Sequence, residues 1–194
     1  MLYIAWFAIA YLLGSVSSAI ILCKLAGLPD PRTEGSKNPG ATNVLRIGGK
    51  KLAAIVLFGD ALKGLVAVLP VTLWGGSPLM VGITALCVFL GHVYPVFFQF
   101  QGGKGVATYI GALLGANPLL GVCGIGIWLT SAAITRYSSL SALLMAVIVP
   151  CVALYLNPIS ALPWTVMSGV LLYRHRGNIT RLYKGEEPKM GAKK

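Results

Sequence analysis

Residues 52–74 read LAAIVLFGDALKGLVAVLPVTLW, and this stretch decides the class of fold. It exceeds the roughly 20 mostly apolar residues that a helix needs to cross the hydrocarbon core of a bilayer. Its only charged residues, Asp60 and Lys63, are three positions apart, so they share a helix face and can partly neutralise each other. Because an isolated charge in lipid is costly, this pair is either a structural ion pair or part of a functional site.

Six further segments are comparably apolar, and they lie on both sides of this stretch. They cover residues 2–23, 79–98, 106–116, 119–135, 140–156 and 159–173. The segment 106–116 is too short to cross fully, and it could instead pair with the next one as a re-entrant hairpin. Residues 2–23 lack the positive charge that precedes a signal-peptide core, so we expect them to remain in the membrane. The sequence predicts an all-α integral membrane protein with seven transmembrane helices, formed by residues 1–194 as a single domain.

The composition agrees with a membrane protein and argues against a nucleic-acid partner. Of the 194 residues 56% are hydrophobic and 11% are charged, and the mean hydropathy is +0.78. A soluble domain carries about 25% charged residues. The net charge of +11 is spread through the connections between apolar segments. That arrangement suits anionic lipid headgroups, so we expect membrane lipids and no nucleic acid as partners.

The cations predict the orientation of the chain. The turns at 74–78, 117–118 and 157–158 contain no charged residue, whereas fifteen of the sixteen Lys and Arg lie in the other connections and only Lys63 lies inside an apolar segment. The positive-inside rule then makes the charged face cytoplasmic. The N-terminus is predicted to lie outside and the C-terminus in the cytoplasm.

The first charged connection contains a segment suited to anion binding. Residues 35–46 read GSKNPGATNVLR and combine glycines, small hydroxyl and amide side chains and cations. Successive exposed backbone N–H groups can form a nest for an anion, and Ser, Thr and Asn add further donors. The alternative is an ordinary solvated loop.

The second charged connection places one cation among three glycines. Residues 91–108 read GHVYPVFFQFQGGKGVAT, with Lys104 just before a predicted helix. A phosphate could bind the backbone there, with Lys104 as its countercharge. The segment is not a nucleotide-binding P-loop, because Phe98 and Gly105 stand where that pattern needs Gly and Ser or Thr. His92 in the same stretch either bonds a neighbouring helix or takes part in catalysis.

The tail, residues 173–187, reads YRHRGNITRLYKGEE and could simply anchor the protein to lipid headgroups, but its His175 and Asn178 suggest a site. Neither histidine has the aspartate five positions later that His-x-x-x-x-Asp acyltransferases carry, and no Gly-x-Ser-x-Gly elbow or metal-ligand spacing occurs. We therefore expect no nucleophile triad and no metal.

Taken together, three motifs are more specific than any one alone. They are Gly-Ser-x-Asn-x-Gly-Ala-Thr-Asn at 35–43, Gly-His-x-x-Pro-Val-Phe-x-x-Phe-x-Gly-Gly-Lys-Gly-Val-Ala-Thr at 91–108, and Arg-His-x-x-Asn-Ile-x-Arg-Leu at 174–182. In this order between apolar segments they resemble the bacterial acyl-phosphate-dependent glycerol-3-phosphate acyltransferases, the PlsY family, over essentially the whole chain.

The resemblance implies transfer of a fatty acyl group from acyl phosphate to the 1-hydroxyl of sn-glycerol 3-phosphate. The product is lysophosphatidic acid, an intermediate of phospholipid biosynthesis. It further implies an enzyme of the bacterial inner membrane with its active site on the cytoplasmic face, no cofactor, and a peripheral acyl-phosphate-producing enzyme as a partner. Lys37 and Gln101 depart from the family pattern, which commonly has glycine and lysine there, so neither is assigned a role.

The motifs and their cations give the candidate site. Catalytic roles are expected for Lys104, His175 and Asn178. Phosphate binding is expected for Ser36, Asn38, Gly40, Ala41, Thr42, Asn43, Arg46, Gly102, Gly103, Lys104, Arg174 and Arg176.

Two questions stay open at this point. Direct attack by the glycerol hydroxyl needs a base, which is either His175 or a substrate phosphate oxygen. The competing function is a small membrane transporter of phosphate esters, which would also use glycine-broken helices and intramembrane polar residues.

Overall fold

The computed structural model describes residues 2–191, apart from the side chains of Leu2 and Ser160, and contains only helices and their connections in that range. The prediction of an all-α fold is confirmed. The helices are α1 (Leu2–Ser15), α2 (Ser18–Leu25), α3 (Ala41–Leu73), α4 (Pro78–Val93), α5 (Val106–Ala116), α6 (Pro118–Thr135), α7 (Ser138–Leu156), α8 (Pro158–Arg174) and α9 (Arg176–Tyr183), with a 3-10 turn at Val96–Phe98.

Several helices have the length and apolarity of membrane spans. By these criteria α3, α4 with the turn that follows it, α6 and α7 can each cross a bilayer, and α1 with α2 can form a fifth, bent span. The described chain is therefore a multi-pass membrane protein. The exposed large hydrophobic side chains on these helices suit contact with lipid rather than water.

The first apolar segment is not one continuous helix. It breaks after Ser15, and α2 begins at Ser18 with a bend of 40°. Ser17 caps α2, because its side chain accepts a hydrogen bond from the Ile20 amide at 3.4 Å. The Val16 carbonyl at the break accepts a hydrogen bond from Lys63 Nζ at 2.7 Å. Side chains thus replace backbone bonds that hydropathy alone does not reveal.

Two stretches that hydropathy places in the connections are helical. The helix α3 begins at Ala41 rather than near residue 52, and it is kinked at Gly49, whose φ of 78° is left-handed. The tail forms α9 directly after α8. Hydropathy misses both because these helices are too polar to resemble membrane spans.

Glycines let two helix pairs approach backbone to backbone. A Cβ on Gly111 of α5 would lie 1.9 Å from the Ala61 carbonyl oxygen of α3, and a Cβ on Gly14 of α1 would lie 2.1 Å from the Val88 oxygen of α4. Such contacts are typical of helix association in membranes, where small residues replace the hydrophobic effect as the basis of packing. The pairs α3–α5 and α1–α4 are therefore seams that exclude side chains.

The two ends of the bundle differ in charge. At one end the uncharged turns meet around a cavity of about 250 Å³ whose lining includes Gly76, Asn117 and Asn157. At the other end the cationic connections bond to one another. The contacts are Arg32 Nη1 to the Phe98 oxygen at 3.2 Å, Thr42 Oγ1 with Ser138 Oγ at 3.3 Å, and the Met190 amide to the Arg136 oxygen at 2.7 Å.

Candidate active site

Lys104 and Asn178 meet at the charged end of the bundle. Lys104 Nζ donates a hydrogen bond to Asn178 Oδ1, which joins the glycine-rich second connection to α9. Asn178 Nδ2 donates in turn to Glu187 Oε1 at 2.6 Å. The amide therefore stands between the ammonium and the carboxylate. Because Lys104 is paired with a neutral group rather than an anion, its charge remains available to a substrate phosphate.

Glu187 holds this part of the tail together. Its carboxylate also accepts hydrogen bonds from Ser139 Oγ at 2.6 Å and from Arg181 Nε at 2.7 Å. Burial raises the pKa of Glu187, but the hydrogen bonds from Ser139, Asn178 and Arg181 outweigh burial and leave that pKa below its usual value. The carboxylate thus stays ionised and fixes Asn178. No sequence motif singles out Glu187, although it is one of only five acidic residues in the chain.

The pKa of Lys104 is lowered from its ordinary value. Burial is the main reason that its pKa falls to about 8, and the nearby charges of Arg181, Arg174 and Arg46 act in the same direction against the opposing effect of Glu187. A bound phosphate would oppose this shift, since a neighbouring anion favours the charged form. Cations therefore outnumber the single carboxylate of Glu187 around Lys104, which suits the site to bind anions.

His175 is buried beside this cluster and is neutral. Burial and the Lys104 charge lower its pKa to about 4. Its Nδ1 lies 2.8 Å from the Leu171 carbonyl oxygen, which can only accept a hydrogen bond, so Nδ1 carries the proton. Nε2 then carries a lone pair that can accept a hydrogen bond from a hydroxyl group.

The non-helical residues 99–105, which form the glycine-rich loop, are anchored from two sides. The Gly102 carbonyl oxygen accepts a hydrogen bond from Arg174 Nη2 at 2.9 Å, and the Gly103 amide donates to the His92 oxygen at 3.2 Å. Arg174 also lies over the Tyr94 ring at 5.8 Å. Arg174 therefore holds the loop as well as adding positive charge.

The first charged connection adds the N-terminus of α3 to the candidate site. Gly40 is the residue that precedes the helix, and Ala41 and Thr42 form its first turn, where backbone N–H groups lack helical acceptors. Arg46 is four residues after Thr42, on the same helix face, and close enough to affect Lys104. The predicted anion-binding segment is thus a helix N-terminus with a cation one turn further on.

Other residues predicted to bind phosphate have roles within the loop. Asn43 is buried, and its side chain bonds the Ser36 amide and the carbonyl oxygens of Pro31 and Glu34 at 2.9–3.0 Å. It therefore shapes the loop that carries Ser36. The Asn38 carbonyl oxygen accepts from the Gly40 amide at 2.9 Å.

A cleft of about 230 Å³ opens beside the glycine-rich loop. Its lining consists of Arg32, Lys37, Pro39, Phe100, Gln101, Gly102 and Arg174. The two residues that depart from the family pattern, Lys37 and Gln101, thus face the same space. Lys37 has a φ of 55°, a left-handed conformation that favours glycine.

Arg176 contacts Tyr173. Its guanidinium donates to the Tyr173 oxygen at 3.3 Å and lies 4.5 Å from the centre of the Tyr173 ring. In the part of the chain that the structure describes, the candidate site comprises Lys104, Asn178, His175, Arg174, Gly102, Gly103 and the α3 N-terminus with Arg46.

Known proteins are similar in sequence to this chain over nearly its full length. A family model described as glycerol-3-phosphate acyltransferase matches residues 4–185. A glycerol-3-phosphate acyltransferase of Thioalkalivibrio sulfidiphilus (strain HL-EbGR7) is 53% identical, covering 95% of this chain and 92% of its own. One of Methylococcus capsulatus (strain ATCC 33009 / NCIMB 11132 / Bath) is 54% identical, covering 95% of this chain and 94% of its own.

Solved structures share the fold. Crystal structures of PlsY (YgiH), described as an integral membrane glycerol 3-phosphate acyltransferase, superpose with a TM-score of 0.94 for the glycerol 3-phosphate form and 0.91 for the lysophosphatidic acid form. They are 36% and 34% identical, and each comparison covers 98% of this chain and 96% of the other. The resemblance drawn from the three motifs is confirmed, and this chain belongs to the glycerol-3-phosphate acyltransferase family.

Proposed function

We propose that the protein transfers a fatty acyl group from acyl phosphate to the 1-hydroxyl of sn-glycerol 3-phosphate and releases lysophosphatidic acid. The observation that carries the proposal is the meeting of the cationic connections at Lys104, which is bonded to Asn178 and lies close to His175. The names of its relatives and the two forms of PlsY support the same acceptor and product.

Both substrates carry a phosphate, so the site must hold two anions near each other. Lys104 and Arg46 supply charge that offsets their repulsion, and the first amides of α3 supply hydrogen-bond donors. We assign glycerol 3-phosphate to the Lys104 and Asn178 side. We assign the phosphate of the donor to the loop around Ser36 and the α3 N-terminus.

The proposed reaction is a direct acyl transfer. The hydroxyl oxygen attacks the carbonyl carbon of acyl phosphate and forms the ester bond, while the bond from that carbon to the phosphate oxygen breaks. Inorganic phosphate leaves with the electron pair. Since the donor already has a good leaving group, the protein needs to position the reactants and stabilise charge rather than form a covalent intermediate.

The hydroxyl proton goes to a phosphate oxygen in this scheme. A phosphate monoester has a second pKa of about 6, which makes it a stronger base than His175 with its pKa of about 4. His175 can instead orient the hydroxyl, because Nδ1–H is held by the Leu171 oxygen and Nε2 remains an acceptor. His175 therefore aligns the nucleophile.

A site that lies within the depth of the bilayer, at the start of the short helix α5, also suits a donor whose acyl chain stays in the membrane. The 11 residues of α5 span about 16 Å, roughly half of a 30 Å hydrocarbon core. The C-terminal residue of α5, Ala116, lines the cavity at the uncharged end. The non-helical residues 99–105 then cover the remaining depth, with backbone groups bonded to His92 and Arg174.

We infer seven spans, with the bent α1–α2 pair as the first and α5 as a short fourth span rather than part of a re-entrant hairpin. The cation asymmetry favours an N-terminus outside, a C-terminus in the cytoplasm, and an active site on the cytoplasmic face of the inner membrane. Acyl phosphate would then reach the site from the cytoplasmic side, from a peripheral enzyme that produces it.

A donor comparison on purified protein in detergent tests the proposal. We expect lysophosphatidic acid to form from glycerol 3-phosphate with acyl phosphate and not with acyl-CoA at matched concentration. The charged connections are short and offer no separate domain to hold a nucleotide. If lysophosphatidic acid forms from acyl-CoA while acyl phosphate is inert, the assignment of acyl phosphate as the donor is refuted. Absence of product in detergent, together with uptake of glycerol 3-phosphate into vesicles, would support the transporter alternative instead.

A further inference from the structure

Three buried polar side chains form a cluster next to the glycine-rich loop, and the proposed reaction does not use them. Asp60 and Lys63 of α3 form an ion pair at 3.0 Å, and His92 Nδ1 of α4 lies 3.6 Å from the same Asp60 oxygen. Asp60 is 3% exposed and His92 is 7% exposed. A buried ion pair is often no more stabilising than apolar residues of similar volume, so stability alone is a weak reason for this cluster.

The cluster connects the break at Val16, between α1 and α2, to the glycine-rich loop. Lys63 bonds the Val16 carbonyl oxygen at that break. At the other end, the His92 ring touches Gly103, since a Cβ on Gly103 would lie 2.3 Å from His92 Nε2. The His92 carbonyl oxygen also accepts the Gly103 amide hydrogen bond at 3.2 Å. His92 therefore supports the loop through both its backbone and its ring, one residue before Lys104.

We propose that Asp60 and His92 are positioning residues for Lys104. Asp60, itself paired with Lys63, lies against the His92 ring and restricts its position, and the ring limits where Gly103 and therefore Lys104 can lie. Arg174 holds the same loop at Gly102 from α8. With one of these supports removed, Lys104 is free to leave Asn178. A displacement of about 1 Å in a catalytic group can lower a rate about a hundredfold.

The experiment measures the placement of Lys104 directly and the activity separately. In folded protein, acetylation of Lys104 by acetic anhydride is followed by mass spectrometry, with the exposed Lys50 and Lys51 as internal references. We expect Asp60→Asn and His92→Ala to raise the relative labelling of Lys104 severalfold and to lower kcat about tenfold or more. Because labelling needs no turnover, an inactive wild-type protein would refute the proposed function without affecting this test.

The matched control is Thr84→Val, which removes another buried polar group from α4. Thr84 bonds the Met80 carbonyl oxygen at 2.8 Å within its own helix and makes no described contact with the loop. It should leave the relative labelling of Lys104 unchanged even if the melting temperature falls. If all three variants change labelling and kcat in proportion to their loss of stability, the role of the cluster is structural and the proposal is refuted.

A variant on the loop side covers the case in which Asp60→Asn does not fold. The added methyl of Gly103→Ala would meet the His92 ring first, so it should displace the loop and raise Lys104 labelling. In the double variant with His92→Ala the methyl has space, and the two effects should not add. Additive effects, or unchanged labelling in folded Gly103→Ala, would overturn the proposal.

Discussion

At the scale of single residues, Asn178 determines how much charge Lys104 can offer a substrate. A direct ion pair between Lys104 and Glu187 would have to break before a phosphate could bind. The amide between them bonds both and leaves the ammonium unneutralised. Burial is the main cause of the low pKa of Lys104, and the neutral amide bonded to it opposes that shift less than a directly paired anion would.

The pKa of Lys104 leads to a pH prediction. Below about pH 8 the side chain is an ammonium and can hold a phosphate; as the pH rises through 8 it loses the proton, so kcat/KM for glycerol 3-phosphate should fall. Lys104→Met should abolish turnover, while Lys50→Met, which changes an exposed lysine, should not. The measurement is a pH–rate profile of each purified variant. A wild-type profile that stays flat to pH 10, or an active Lys104→Met protein, would exclude this role.

The neutral state of His175 leads to a second prediction. If His175 only orients the hydroxyl, His175→Gln keeps an acceptor oxygen and should lose about tenfold in kcat. Removal of a true general base costs about 10²–10⁴-fold. His175→Ala should lose more than His175→Gln. Steady-state kinetics on both variants distinguishes these cases, and equal losses above a thousandfold would assign the proton to His175.

The sequence motifs select candidate site residues without indicating what each residue does. Lys104, His175 and Asn178 stand in motifs, so they could be selected without coordinates. Glu187 could not, because its importance arises from contacts with Ser139, 48 positions away, and with α9. Asn43 is a predicted phosphate-binding residue, and in the structure its side chain bonds the backbone of its own loop. A motif does not distinguish a residue that touches a ligand from one that shapes the loop around it.

At the scale of helices, the close backbone contact between α3 and α5 holds the glycine-rich loop in place. The glycine-rich loop continues directly into α5, whose Gly111 contacts the α3 backbone. A close backbone contact leaves little freedom for α5 to slide or rotate. The position of the loop therefore depends on the absence of a side chain at residue 111.

Gly111→Ala should accordingly destabilise the protein. Its Cβ would lie 1.9 Å from the Ala61 oxygen, so the helices must separate. Overpacking of this kind costs about 1–3 kcal/mol. The control is Gly169→Ala in α8, where a Cβ meets no atom within 4 Å and where alanine should be neutral or stabilising. Thermal unfolding in detergent compares the two variants, and equal melting temperatures would contradict the packing argument.

Hydropathy predicted where apolar segments lie but not how the helices begin, break and bend. The break at Val16 depends on Ser17 and on Lys63, which is distant in sequence. The early start of α3 depends on Gly49, which allows a polar helix to join an apolar one through a kink. Both features arise from polar bonds and backbone conformation, and an average over apolar residues contains no information on either.

At the scale of the whole molecule, one end of the bundle is charged and the other is not. The cationic connections bond to one another at one end, while the uncharged turns surround the cavity near Gly76 at the other. A protein with this asymmetry has a preferred orientation in a membrane, because cations are retained on the cytoplasmic side.

Thiol labelling in intact cells should reveal that orientation. In a background without the four native cysteines, Ser77→Cys should react with an impermeant reagent, whereas Lys50→Cys and Lys184→Cys should react only after the cells are opened. All three positions are exposed, so the difference reports the side of the membrane rather than burial. Labelling of Lys50→Cys but not Ser77→Cys in intact cells would reverse the orientation.

The glycine seams also determine which parts of the protein can move during turnover. Helices whose backbones touch, as α1 with α4 and α3 with α5 do, cannot pass one another without breaking that contact. Collective helix movements take microseconds to milliseconds, whereas loops rearrange in nanoseconds to microseconds. Substrate entry and product release should therefore be carried by the charged connections. Backbone amides in α3 and α5 should exchange hydrogen slowly even while residues 26–40 exchange rapidly.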